Sequence, residues 1–114
     1  MRVLLDTVSF IWALQSPELL SAKAMMVLQD EKTVREFSTI SISEIAIKRA
    51  KGKLEVSRDD VITGIADLKL RVISYSAEHA YQLFSLPILH LDLFDRQIVA
   101  QALVEKNTGG NYRR

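Results

Sequence analysis

Four carboxylates stand at places where chemistry concentrates in chains that alternate strands with helices. Asp6 ends the apolar run Val3-Leu4-Leu5, Glu44 follows the β-rich stretch Glu36–Ile40, and Asp92 and Asp95 open the last helically periodic segment. Ligands of open α/β sheets bind just outside the carboxyl ends of the strands, where these strand-to-helix junctions fall. If the first strand is central, the carboxylates converge at one rim of the sheet. The chain has no cysteine, and His79 and His90 lack ligand spacing, so an acidic cluster would offer oxygen donors alone. Such a set suits a hard cation, Mg²⁺ or Mn²⁺. Held this way, a divalent ion activates water and stabilises a phosphoryl transition state, as a metal-dependent nuclease requires.

Each acid also has a simpler account. Ser41-x-x-Glu44 is a capping-box pattern. Asp92 suits an N-cap with Asp95 in the first turn, and Asp6 suits a cap for a helix beginning at Thr7. Taken singly, capping explains any of them; spacing alone leaves capping and a metal site both open. Lys48, one turn after Glu44, fits an exposed helix pair or an approach to a phosphate. Lys48, Arg49, Lys51 and Lys53 make a modest basic patch of the kind that is usually a solvated face and sometimes an RNA contact. Arg96, next to Asp95, fits either a group that orients that helix start or an ordinary intrahelical ion pair. Trp12 reads as core or partner-facing, and both histidines as surface or core.

The elements that must position these residues follow from hydropathy. A short continuous apolar run before Asp6 is the pattern of a strand buried on both faces. Phe10, Ile11 and Leu14 recur at helical spacing until Ser16-Pro17 stops them, and Ser21 opens a second helix bearing Ala24, Met25 and Leu28. Glu36–Ile40 is expected as the second strand, with Ser41 or Ser43 beginning a helix that stops near Gly52. Arg58–Leu70 is expected as a helix turning Val61, Ile62, Ile65 and Leu68 to a core. Val72-Ile73 reads as a third strand. Ser76 caps a helix through Phe84, and Phe94 to Glu105 forms the last one. Strands alternating with helices imply a parallel sheet wrapped by helices.

Size and composition bound the answer. At 114 residues, 48% hydrophobic and 25% charged, the chain suits one compact domain and rules out wholesale disorder. A net charge of +1 excludes a polybasic nucleic-acid sleeve, but not an enzyme acting on nucleic acid through a few placed groups. No apolar run reaches a membrane span and Asp6 comes too early for a signal peptide, so the expectation is a soluble cytoplasmic domain with no membrane partner.

The ordered segments Val3-Leu4-Leu5-Asp6-Thr7, Ile42-Ser43-Glu44-Ile45-Ala46-Ile47-Lys48, Ser76-Ala77-Glu78-His79-Ala80, His90-Leu91-Asp92-Leu93-Phe94-Asp95-Arg96 and Ile98-Val99-Ala100-Gln101-Ala102 resemble PIN-domain proteins of the VapC toxin type. The resemblance runs from Met1 to about Lys106. It implies a PIN-like three-layer α/β/α fold with a short parallel sheet, and a Mg²⁺- or Mn²⁺-dependent ribonuclease that hydrolyses RNA. It also implies a VapB-like antitoxin covering the active site, and often a homodimer. By position, Asp6, Glu44 and Asp95 match the family's catalytic, metal-binding acids, and Asp92 matches a supporting acid that caps the helix or stands just outside the ligands. Val8 stands where His is frequent, and Leu93 where Pro is usual.

The resemblance fails over residues 107–114, a divergent C-terminal tail beyond a PIN-like domain of residues 1–106. The family continues there with a strand of the type Ile-Pro-Leu-Val-Thr-x-Asp, whose acid is a fourth carboxylate. Asn107 to Arg114 carries two glycines and no β-branched apolar residue, which makes a poor buried strand. Permissible codons for this tail, read one base later, spell Ile-Pro-Val-Val-Thr-Thr-Asp. The expectation is therefore a fold truncated at the C-terminus by a frameshift, an open edge on the first strand and impaired activity.

Three functions compete on this basis. The first is a VapC-like endoribonuclease. The second is a catalytically inactive PIN remnant that still binds an antitoxin through its apolar helices. The third, a phosphoacceptor module, ranks last because Asp6 has no paired acid beside it and no late-strand Lys is persuasive.

Overall fold

The computed structural model describes residues 1–87 and 92–106, and the backbone of residues 112–113. His90, and the tail apart from residues 112–113, lie outside the described residues. The chain runs β1 (Arg2–Leu5), α1 (Thr7–Gln15), α2 (Ala22–Gln29), β2 (Val34–Ser38), α3 (Thr39–Ala50), α4 (Arg58–Asp67), β3 (Arg71–Ile73), α5 (Ala77–Gln82), α6 (Leu93–Lys106) and β4 (Tyr112–Arg113). The sheet has the order β3-β2-β1-β4 with every pair parallel, so β1 is an interior strand.

Burial on both faces of the sheet explains the unbroken apolar run of β1. Leu5 and its register partner Phe37 face one side, where Phe10, Ile45 and Val61 from α1, α3 and α4 complete the larger core. Phe10 and Phe37 stack with centroids 4.3 Å apart. Leu4 faces the other side, against Ile98 and Ala102 of α6. Helices on both faces of a short parallel sheet give the expected three layers.

Several boundaries move. The second strand ends at Ser38, not Ile40, because the Ser38 hydroxyl accepts from the Ile40 amide at 3.0 Å and starts α3 there. The helix start expected at Ser41 or Ser43 is thus corrected to Thr39. Ile62, expected in the core, is 50% exposed, since α4 meets α1 through Gly64. A Cβ on Gly64 would stand 2.5 Å from a Leu14 methyl, so the glycine sets how closely these helices approach. Helix α4 ends in a Schellman turn, in which the Leu70 amide bonds the Ile65 carbonyl across Lys69 at φ 54°.

The tail departs from expectation at two residues. Tyr112 and Arg113 pair in parallel with Arg2 and Val3, so this part of the β1 edge is covered. Ladder bonds are made by the main chain, and so short a pairing needs no apolar side chains.

Beneath α6 lies a charged network that no local pattern announces. Glu36 is wholly buried in β2, and its Oε1 accepts from Arg2 at 3.0 Å. Arg2 also reaches Glu105 of α6 at 2.8 Å. His79 is buried and accepts the Ser76 amide at Nδ1 at 2.9 Å, which leaves Nε2 to donate to Glu105 Oε2 at 3.1 Å. Burial pushes the Glu105 carboxyl upward, but hydrogen bonds from His79 and Arg2, with their charges, outweigh it and hold the group below its ordinary value. Gln101, also buried, donates to the Ser74 carbonyl at 3.2 Å. These contacts fix α6 on the sheet, and thereby the position of Asp95 in its first turn.

Candidate active site

Asp6 follows the end of β1 and caps α1, its Oδ1 accepting the Ser9 amide at 2.7 Å. The capping account of Asp6 therefore holds, and it leaves Oδ2 for other work. The next residue, Thr7, is buried and donates from its hydroxyl to the Ser41 hydroxyl at 2.8 Å. This bond ties the start of α1 to the start of α3. Ser41 and Glu44, three apart on α3, share a helix face. The arrangement brings the Asp6 junction and Glu44 to the same side of the sheet.

For Glu44 the capping account fails. The cap of α3 is Ser38, and Ser41 is engaged with Thr7, so the expected Ser41–Glu44 box does not form. Glu44 is instead buried in the second turn, at 3% exposure. Its Oε2 accepts from Lys48 Nζ at 2.5 Å, while Oε1 is buried with no hydrogen-bond partner among the described residues. A buried carboxylate with one oxygen unsatisfied is costly to keep, and nothing in helix formation calls for it. Lys48 is held above its ordinary pKa, chiefly by the hydrogen bond to Glu44; burial opposes this, and the charges of Glu44, Asp92 and Asp95 reinforce it. Lys48 is thus not the exposed helix pair expected from spacing. It sits on a buried carboxylate within the field of both acids at the start of α6.

Asp92 accepts the Asp95 amide at 2.8 Å, which makes it the cap of α6 and supports its outer role. Asp95 follows in the first turn. Arg96 Nη1 donates to the Pro87 carbonyl at 3.1 Å and pins the segment before α6, so it orients that helix start.

The donor set fits a hard divalent cation: carboxylates only, one of them buried and carrying an unpartnered oxygen, with an ammonium already on it. Among the described residues no group of three or more His, Cys, Asp or Glu is gathered closely enough to hold a metal ion. Lys48 contacts Glu44 and feels the charges of Asp92 and Asp95 from farther off, and Asp6 precedes the Thr7–Ser41 link. Asp6 also lines a cleft of about 230 Å³ along β1 and α2, with Leu4, Leu5, Ser9, Lys23 and Val27. The rest of the basic patch, Arg49, Lys51 and Lys53, is exposed. Trp12 is exposed on α1 one turn beyond the exposed Val8, which favours its partner-facing reading. Sequence reasoning missed the Thr7–Ser41 bond, whose only signal was a hydroxyl next to Asp6 and another three residues before Glu44.

No described helix is long and apolar enough to cross a membrane. No curated protein matches the chain. By fold the chain is similar to a chain in the crystal structure of VapBC2 from Rickettsia felis bound to a DNA fragment from their promoter. That similarity has a TM-score of 0.64 at 18% identity and covers 93% of this chain and 83% of that one. The PIN domain family matches residues 3–108, a span that contains all four acids and every described element except β4 and the first residue of β1. With a parallel sheet wrapped by helices, and a family match over nearly its whole length, the chain belongs to the PIN domain family.

Proposed function

We propose that the chain is a VapC-like toxin ribonuclease, with Asp6, Glu44 and Asp95 as the residues that hold Mg²⁺ or Mn²⁺ and Asp92 in support. The observation that carries this reading is Glu44: a buried carboxylate with no capping task, one oxygen unpartnered, and a cation drawn onto the other. When bound, a divalent ion supplies positive charge for the phosphoryl transition state and activates water. The residues of the chain do the rest. The Asp92 cap fixes the first turn of α6 and hence Asp95. The Thr7–Ser41 bond holds the Asp6 and Glu44 junctions together. The fully buried Leu4 and Ile98 keep the sheet behind the acids dry, which strengthens their field.

An RNA strand is the substrate this reading assigns, with a VapB-like antitoxin as protein partner and a homodimer as the assembly. The antitoxin assignment draws on the similarity to VapBC2 and on the exposed apolar residues Val8 and Trp12 of α1. Residues 107–114 carry no Asp or Glu where the resembling family has its fourth acid, and low activity is the expectation. The test is cleavage of structured RNA with Mg²⁺ or Mn²⁺ by the wild-type chain and by Asp6→Asn. Metal-dependent cleavage lost in the variant supports the nuclease. Cleavage by neither, with antitoxin binding retained by both, supports the inactive remnant.

A further inference from the structure

The cation on Glu44 has a consequence for how the site is loaded. Lys48 Nζ lies 2.5 Å from Glu44 Oε2 across one helical turn, and the side chains are 35% and 4% exposed. The buried member is the acid; the lysine side chain is partly exposed. Left alone, a buried carboxylate is strongly destabilising, so some cation must sit there whenever the protein is folded. An ammonium suits a temporary occupant: it is a compact point charge on a flexible four-carbon stem, unlike the rigid fork of arginine. It carries a single charge, whereas Glu44, Asp92 and Asp95 all act on it.

We propose that Lys48 is an intrinsic counter-ion that occupies the cation position on Glu44 and is displaced into solvent when a divalent ion binds. This inference rests on the metal-dependent reading above. An ammonium and a divalent ion repel each other, and the two oxygens of Glu44 share one carbon, so an ion at the unpartnered Oε1 crowds the ammonium at Oε2. The partly exposed side chain gives the ammonium a way out. Lys48 thereby keeps the metal-free fold intact and weakens metal binding, because loading must break an existing ion pair. The loaded protein then presents a free ammonium at the acidic rim.

Calorimetric titration of Mn²⁺ into the full chain tests this, comparing wild type, Lys48→Met and Glu44→Gln. The expected result is Mn²⁺ bound about tenfold more tightly by Lys48→Met, a factor of ten being the size of one modest ion pair lost from competition. Glu44→Gln is expected to abolish binding. A second measurement keeps the test open if Lys48→Met does not fold: reductive methylation of Lys48 in the wild-type chain is expected to speed up several-fold on adding Mn²⁺. Equal or weaker affinity in Lys48→Met, or methylation unchanged by a bound ion, overturns the displacement while leaving the metal site standing. No Mn²⁺ binding by either wild type or Lys48→Met overturns both the displacement and the reading on which it rests.

Discussion

At the scale of the residue, position in a helix separates the acids that cap from the acid that does not. Asp6 and Asp92 each accept a backbone amide three residues ahead, whereas Glu44 stands in the second turn of α3 behind a serine that has already done the capping. These differences predict different penalties. Asp92→Asn retains a good capping side chain and should leave stability nearly unchanged, while Asp92→Ala should cost about 1 kcal/mol, measured by urea unfolding. Glu44→Gln removes a charge whose partner is free to hydrate, so it should lower cleavage far more than stability. Thr7→Val breaks the bond to Ser41 and should cost about 1 kcal/mol of stability. If that bond aligns Asp6 with Glu44, the same change should also reduce metal affinity or cleavage by about 10-fold or more. The sequence placed Asp6 at the end of the first strand because an apolar run ended at it. It misjudged Glu44 because Ser38 and Ser41 are equally good caps as residue types. What decides between them is that β2 runs out to Ser38 while Ser41 is already engaged with Thr7.

At the scale of the element, two features depart from ideal helix and sheet chemistry. Lys69 holds a left-handed conformation that favours glycine, so Lys69→Gly should stabilise the chain by about 0.5–1 kcal/mol, read as a raised urea midpoint. The second feature is Glu105, held low by His79 and Arg2 against the push of its own burial. A carboxyl depressed in the folded state contributes stability above its unfolded value and loses it as pH falls through the folded value. Stability should therefore decline below about pH 4.5, the ordinary value of the group, and Glu105→Gln should flatten that decline in unfolding midpoints measured across the acid range. The network itself was illegible in the sequence. Arg2 meets residues 34 and 103 positions away, and His79 meets one 26 away. Separations of this kind leave no periodicity, and a glutamate inside a strand reads as a boundary until its distant arginine is placed beside it.

At the scale of the whole molecule, the sheet order places β1 between β2 and β4, so the acid at its end follows an interior strand. Parallel alternation in the sequence was enough to anticipate the three layers, because buried strands and amphipathic helices leave strong patterns. The tail was harder to judge, since a pairing made by the backbone at Tyr112 and Arg113 owes little to side-chain type. Removing residues 107–114 should expose the β1 edge at Arg2 and Val3 and promote association, seen as a rise in scattering mass with concentration. The central claim is that the acids at the strand ends act together as a metal-dependent ribonuclease site. The most direct measurement is the rate of cleavage of one structured RNA against Mn²⁺ concentration, for wild type, Asp6→Asn, Glu44→Gln and Asp95→Asn purified identically. The account predicts cleavage that rises with Mn²⁺ in the wild type and falls to background in all three variants. Cleavage that persists equally in the variants, or that ignores the metal, would contradict it.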